Sequence, residues 1–96
     1  EGLRIPKSFM LGGNRITVTY KDKLDELNRT AGCALYDDLK IVLLKSLHGD
    51  NKEQTFLHEV VHHILNSMGE ATLRQNEQFV DVFATFLHQY MKTSVY

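Results

Sequence analysis

Leu57-His58-Glu59-Val60-Val61-His62-His63-Ile64-Leu65-Asn66-Ser67-Met68-Gly69 is the stretch from which the fold of the whole chain can be read. Leu57, Val60, Val61, Ile64, Leu65 and Met68 follow the i, i+3, i+4, i+7, i+8 spacing of a helix with one face on a core. Gly69 is placed to end that helix, because glycine takes up the left-handed conformation that closes a last turn. Upstream, Ser46 to Lys52 reads as a loop, with Asp50 or Asn51 as the expected N-cap.

Working outward, a second helix is expected from about Thr72 to Lys92, with Phe79, Val80, Phe83, Phe86, Leu87, Tyr90 and Met91 on its apolar side. On the N-terminal side the period changes from helical to alternating. Arg15-Ile16-Thr17-Val18-Thr19-Tyr20 is rich in β-branched residues and puts Ile16, Val18 and Tyr20 on one face, which is a strand pattern. Cys33 to Tyr36, opened by Gly32, and Lys40 to Leu44 read as two further strands around an Asp37-Asp38 turn. Residues 1–14, with Pro6 and Gly12-Gly13, read as an entry segment and a turn. Lys21 to Thr30 fits either a short helix or an irregular loop. The expected fold is therefore a single small α+β domain over residues 1–96. It has an antiparallel or mixed sheet of about three strands, covered by two long helices.

The bulk composition narrows the function classes. Ninety-six residues support one modest core. A net charge of −1 without a basic block lacks the electrostatic footprint of a nucleic-acid binder. No apolar run approaches the roughly 18 residues of a membrane span, so no membrane partner is expected. The single cysteine, Cys33, excludes an intrachain disulfide and fits a reducing, cytoplasmic setting. In a strand beside small and apolar neighbours its thiol is expected to pack rather than react. No signal-peptide pattern opens the chain, and Glu1 in place of Met suggests a segment of a longer protein.

The central stretch also carries chemistry. His58 and His62 are one helical turn apart on one face and can offer two imidazole nitrogens to one metal ion. Glu59 flanks that face, within reach of a water on the metal. This is an H-E-x-x-H pattern. A catalytic zinc takes three protein ligands and keeps a fourth position open. Glu77, with Asp81 one turn later on the next helix, is the candidate third ligand. Asp81 is expected to accept a hydrogen bond from the free ring nitrogen of a ligand histidine. A closed structural site with Asp81 as fourth ligand is the competing arrangement, and pinning two helices would help stabilise so small a core.

Asn76-Glu77-Gln78-Phe79-Val80-Asp81-Val82-Phe83-Ala84 resembles the third-ligand helix of the gluzincins, with their N-E-x-x-x-D motif. The spacing and the Phe83-Ala84 pair are similar to the small ImmA/IrrE-type zinc metallopeptidases of bacteria and phages. The resemblance covers about residues 53–90. It implies a minimal zincin domain with one zinc ion on His58, His62 and Glu77, hydrolysing a peptide bond through a metal-activated water with Glu59 as general base. It implies a protein or peptide substrate, paired along the strand at about residues 40–45. A further expectation is a regulatory protein partner or an adjoining domain that completes the cleft. The candidates for stabilising the oxyanion are Tyr36, His48 and His63. The alternative from another class is a non-catalytic, zinc-stabilised binding or regulatory module on the same fold.

Overall fold

The computed structural model describes residues 3–25 and 30–96. Its elements are β1 (Ser8–Leu11), β2 (Asn14–Lys21), β3 (Gly32–Leu35), β4 (Lys40–Leu44), α1 (Gly49–Ser67), α2 (Ala71–Arg74) and α3 (Glu77–Thr93). The fold is α+β, with four strands in the order β1-β2-β4-β3. The added strand, β1, lies in the segment read as an entry. Four residues after a proline show no alternation of their own. They become a strand because Gly12 and Gly13, both at positive φ, fold the chain back so that Leu11 pairs with Asn14.

β2 pairs with β4 in parallel, and β3 pairs with β4 antiparallel. β4 is therefore central, and its Ile41 and Leu43 are fully buried in the main core. The turn between β3 and β4 puts Leu39 at φ +54, a conformation that disfavours a branched side chain. It is held because the Leu39 carbonyl accepts from the Thr17 backbone N–H at 3.0 Å and its side chain packs on the core. The part of Lys21–Thr30 that can be described is irregular; residues 26–29 lie outside the described residues.

α1 lies between the sheet and α3. With neighbours on two sides it buries Phe56, Leu57, Val61 and Leu65 together with four polar residues, Glu53, Glu59, His62 and His63. It begins at Gly49, one residue ahead of the expected cap, with His48 in the N-cap position and no side-chain cap bond. Its end is as expected. Gly69 at φ +77 lets the Gly69 N–H reach the Asn66 carbonyl and the Glu70 N–H reach the Leu65 carbonyl, closing the last turn twice over.

The second helix is not continuous from Thr72 to Lys92. α2 stops at Arg74 and α3 starts afresh at Glu77, because the Asn76 side chain accepts from the Phe79 backbone N–H at 3.0 Å and caps a new helix. Asn76 followed by Glu77 is the signal for that start, an amide cap and an acid in the first turn. α3 packs Val80 and Ala84 into the core against α1. Among the described residues no helix is long and apolar enough to cross a membrane.

Away from the histidine pair, an ion network around the buried Glu53 ties α1, α3 and the N-terminal segment together. Glu53, 5% exposed, accepts from His88 Nε2 at 2.8 Å, from Lys92 Nζ at 3.3 Å and from the Leu3 backbone N–H at 3.0 Å. Lys92 also reaches Asp50 at 2.9 Å. The hydrogen bond from His88 holds the Glu53 carboxyl below its ordinary value of 4.5, against the desolvation that would raise it. A lowered folded-state value contributes stability that is present above the unfolded value and is lost as pH falls through the folded one. Urea unfolding at about pH 7 and about pH 3 should therefore show Glu53→Gln less stable than wild type at the higher pH, with the gap narrowing at the lower. A constant gap would mean the carboxylate charge is not what the network uses.

Candidate metal centre

α1 presents His58 and His62 toward the start of α3. Donor atoms of His58, His62 and Glu77 all lie within 4.8 Å of one another. The Glu77 carboxylate sits between the two rings, with Oε1 2.9 Å from His58 Nε2 and Oε2 3.2 Å from His62 Nε2. The break at Asn76 is what puts it there, since Glu77 is the first residue of α3. Two imidazole nitrogens and one carboxylate oxygen form a donor set suited to a zinc ion, with three protein ligands and an open side. The open side is visible in the exposure of the Glu77 carboxylate, 69%, against 9% for the His62 side chain. The residues present fit a bound metal.

Asp81, one turn beyond Glu77, has Oδ1 3.5 Å from His58 Nδ1. Asp81 is therefore the carboxylate nearest the ring nitrogen of His58 that faces away from Glu77. His62 has no such support. Its Nδ1 is buried without a partner among the described residues, so packing and its Nε2 contact orient this ring. Asp81 is thus placed beside His58 and not among the three clustered donors.

Glu59 is 6% exposed. Burial, reinforced by the nearby Glu77 charge and opposed by His58, raises its pKa to about 7. It opens onto two lobes of one cleft. A lobe of about 270 Å³ is lined by Cys33, Ala34, Tyr36, His62 and Glu77, and one of about 320 Å³ by Ala31, Gln54, Thr55 and Asp81. Gly32, His58 and Glu59 line both. The floor is α1 and one wall is β3.

Of the three oxyanion candidates only Tyr36 lines this cleft. Its ring lies against His63, with centroids 5.4 Å apart, and under the Arg74 guanidinium, 4.6 Å from the ring centre. Arg74 is itself held by Asn66 Oδ1 at 2.6 Å. Burial pushes the Tyr36 hydroxyl above its ordinary value, with Arg74 pulling the other way. His63 is 1% exposed and donates through Nε2 to the Lys40 carbonyl at 2.8 Å, so it ties α1 to β4 instead of facing the cleft. His48 is exposed at the N-cap of α1 and hydrogen-bonds the Ser46 carbonyl. Ten residues before His58, it sits about 15 Å away along the helix. Neither histidine is brought to the site.

Gly32, Cys33 and Arg74 belong to the cleft or its supports, and no pattern in the sequence ties β3 or α2 to the histidine pair. The Cys33 thiol is pushed up, first by burial and then by Glu59, and so stays protonated. Asp50, Glu53 and His88 form a second His–carboxylate group, but the Lys92 ammonium lies among them and already supplies the cation.

Gly32 is also where the cleft wall meets its floor. A Cβ there would lie 2.8 Å from Thr55 Cγ2, 3.1 Å from Leu43 Cδ2 and 3.3 Å from the Val42 carbonyl oxygen. Thr55 is β-branched on a helix and cannot swing away freely. Gly32→Ala is therefore expected to push β3 outward at a cost of about 1–3 kcal/mol, measured as a fall in the urea midpoint. A neutral result would mean that β3 is not held against α1 as described.

Compared with protein-family models, with curated proteins and with solved structures, the chain gives no match in any of the three.

Proposed function

We propose that this domain is a zinc-dependent endopeptidase, a small gluzincin-like metallopeptidase similar to the ImmA/IrrE type, working on a protein or peptide in the cytoplasm. The observation that carries this reading is the convergence of His58, His62 and Glu77 from two helices beside a buried carboxylate, Glu59, in an open cleft. A zinc ion held by these three residues would supply Lewis acidity toward a peptide carbonyl and toward water. Glu59 receives the proton of the attacking water and passes it to the leaving amine, so that the proton is conserved through the step. Asp81 keeps His58 in the tautomer that leaves Nε2 unprotonated. Tyr36, the one oxyanion candidate on the cleft, offers its hydroxyl to the developing charge.

The strand that would receive the substrate is not the one expected. Lys40–Leu44 has β2 on one side and β4's remaining side is taken by β3, so it has no free edge. β3 is the edge strand, and Gly32, Cys33 and Ala34 line the cleft. An extended peptide adding to the outer edge of β3 would lie along the wall beside His58 and Glu59.

Metal content per chain, measured for wild type, Glu77→Ala and Asp81→Ala purified without chelator, tests the centre. About one zinc in wild type is expected, lost in Glu77→Ala and retained at 10–100-fold weaker affinity in Asp81→Ala. Loss as complete in Asp81→Ala as in Glu77→Ala would favour the closed, non-catalytic module. No zinc in any of the three would remove the metallopeptidase reading.

A further inference from the structure

α3 is the outermost layer of the domain. One side packs on α1, yet an adjoining stripe is also apolar: Val82, Phe83, Phe86 and Tyr90 are 47%, 50%, 66% and 62% exposed, and Phe79 is half-buried against Phe83. A contiguous exposed apolar stripe of this size marks an interaction surface. The stripe forms a groove of about 450 Å³ along Phe79, Val82, Phe83 and Phe86. It carries no charge: between Glu77 and Lys92 the only acid of α3 is Asp81, which faces His58, and the polar residues beside the stripe are Gln78, Thr85 and Gln89.

We propose that this face pairs with the same face of a second copy of the chain, two α3 helices crossing antiparallel about a twofold axis. Two observations select that occupant. The aromatic residues of the stripe are symmetric about the Ala84–Thr85 bond: Phe79 mirrors Tyr90 and Phe83 mirrors Phe86. A twofold axis there sets aromatic on aromatic, the reciprocal contacts that an isologous interface requires, and an uncharged face meets itself without like-charge repulsion. The exposed parts of these side chains come to roughly 500 Å² per chain, so pairing removes about 1,000 Å² in all, at the lower limit for a specific interface. An interface this small is expected to be weak, so the dimer is sought up to high micromolar concentration. The metal-site cleft lies on the α1 side of α3 and stays open in it.

Sedimentation equilibrium of the whole chain from about 1 to about 500 µM should show monomer passing to dimer, and Phe83→Asp with Phe86→Lys should raise Kd at least about 100-fold while leaving the far-ultraviolet dichroism unchanged. Direction is tested separately in a Cys33→Ser background. A mixture of Phe79→Cys and Tyr90→Cys should form a disulfide-linked pair on mild oxidation, whereas Phe79→Cys alone should not, since its two copies would stand about 16 Å apart along the axis. A chain monomeric throughout that range overturns the proposal and leaves the stripe to another protein. Equal cross-linking of Phe79→Cys with itself overturns the antiparallel arrangement, and a dimer indifferent to the Phe83 and Phe86 changes overturns the interface.

Discussion

Glu59→Gln is expected to keep its zinc and to lose peptide hydrolysis by about 10²–10⁴-fold, the usual share of a positioned proton-transfer group. The substitution preserves the volume and removes only the ability to take a proton. Glu59 is not among the three clustered donors, so the metal content should not change. The buried position that raises its pKa to about 7 penalises the charged carboxylate, and the neutral amide suffers no such penalty. Glu59→Gln should for that reason be at least as stable as wild type toward urea. His58→Ala makes the contrast: it removes a donor and should lose metal and hydrolysis together. The measurement is zinc content beside hydrolysis of a broad peptide panel by the zinc-loaded proteins. A fully active Glu59→Gln would sink the general-base role. An inactive wild type with zinc bound would favour the binding module.

The second large effect is on stability. Zinc at roughly a hundred times its Kd should stabilise the folded chain by about 2.7 kcal/mol, because the unfolded chain lacks the assembled site. For a domain of this size that corresponds to a rise in Tm of about 10–20 °C. The donors belong to α1 and α3, which are otherwise tied by Gln54 Nε2 to Thr85 Oγ1 at 2.8 Å, the packing of Val80 and Ala84, and the Glu53 network farther along the helices. A thermal scan with zinc, with zinc and excess chelator, and with magnesium is the test. Magnesium should give no rise, since two imidazoles are poor ligands for so hard a cation. Glu77→Ala should abolish most of the zinc effect. If zinc leaves the wild-type Tm unmoved, these residues do not form a metal centre in solution.

How much of this was legible from residue order alone follows from the range of the forces involved. The identity of α1, β2 and β4 and the Gly69 stop are set by local periodicity and by residues that tolerate only certain backbone conformations. These are visible within a dozen positions. The His58–His62 pair is a property of helical pitch and is equally local. The carboxylate expected to join it, Glu77, was reached from spacing, but its placement between the two rings depends on the new helix start that Asn76 makes, and that cap competes with a continuous helix over a margin of about 1 kcal/mol.

What the tertiary structure decided is pairing and layering. β1 exists as a strand only because β2 lies beside it. Lys40–Leu44 lost its expected role as the free edge because β2 pairs with it in parallel across a long sequence separation, and no pattern within either strand specifies that partner. The same choice sent β3 to the edge and so to the cleft wall. His63 adjoins the motif in sequence, and His48 lies in the loop beside the start of its helix, which makes both candidates on residue order alone. The helix turns one of them toward the Lys40 carbonyl and carries the other about 15 Å away. Glu53 and His88, 35 residues apart, meet only because α1 and α3 run side by side. Sequence order sets what each segment can become, since propensity and periodicity act within a few turns. Which segments meet is decided by burial of all the apolar faces at once, and that sum is known only when the chain is folded.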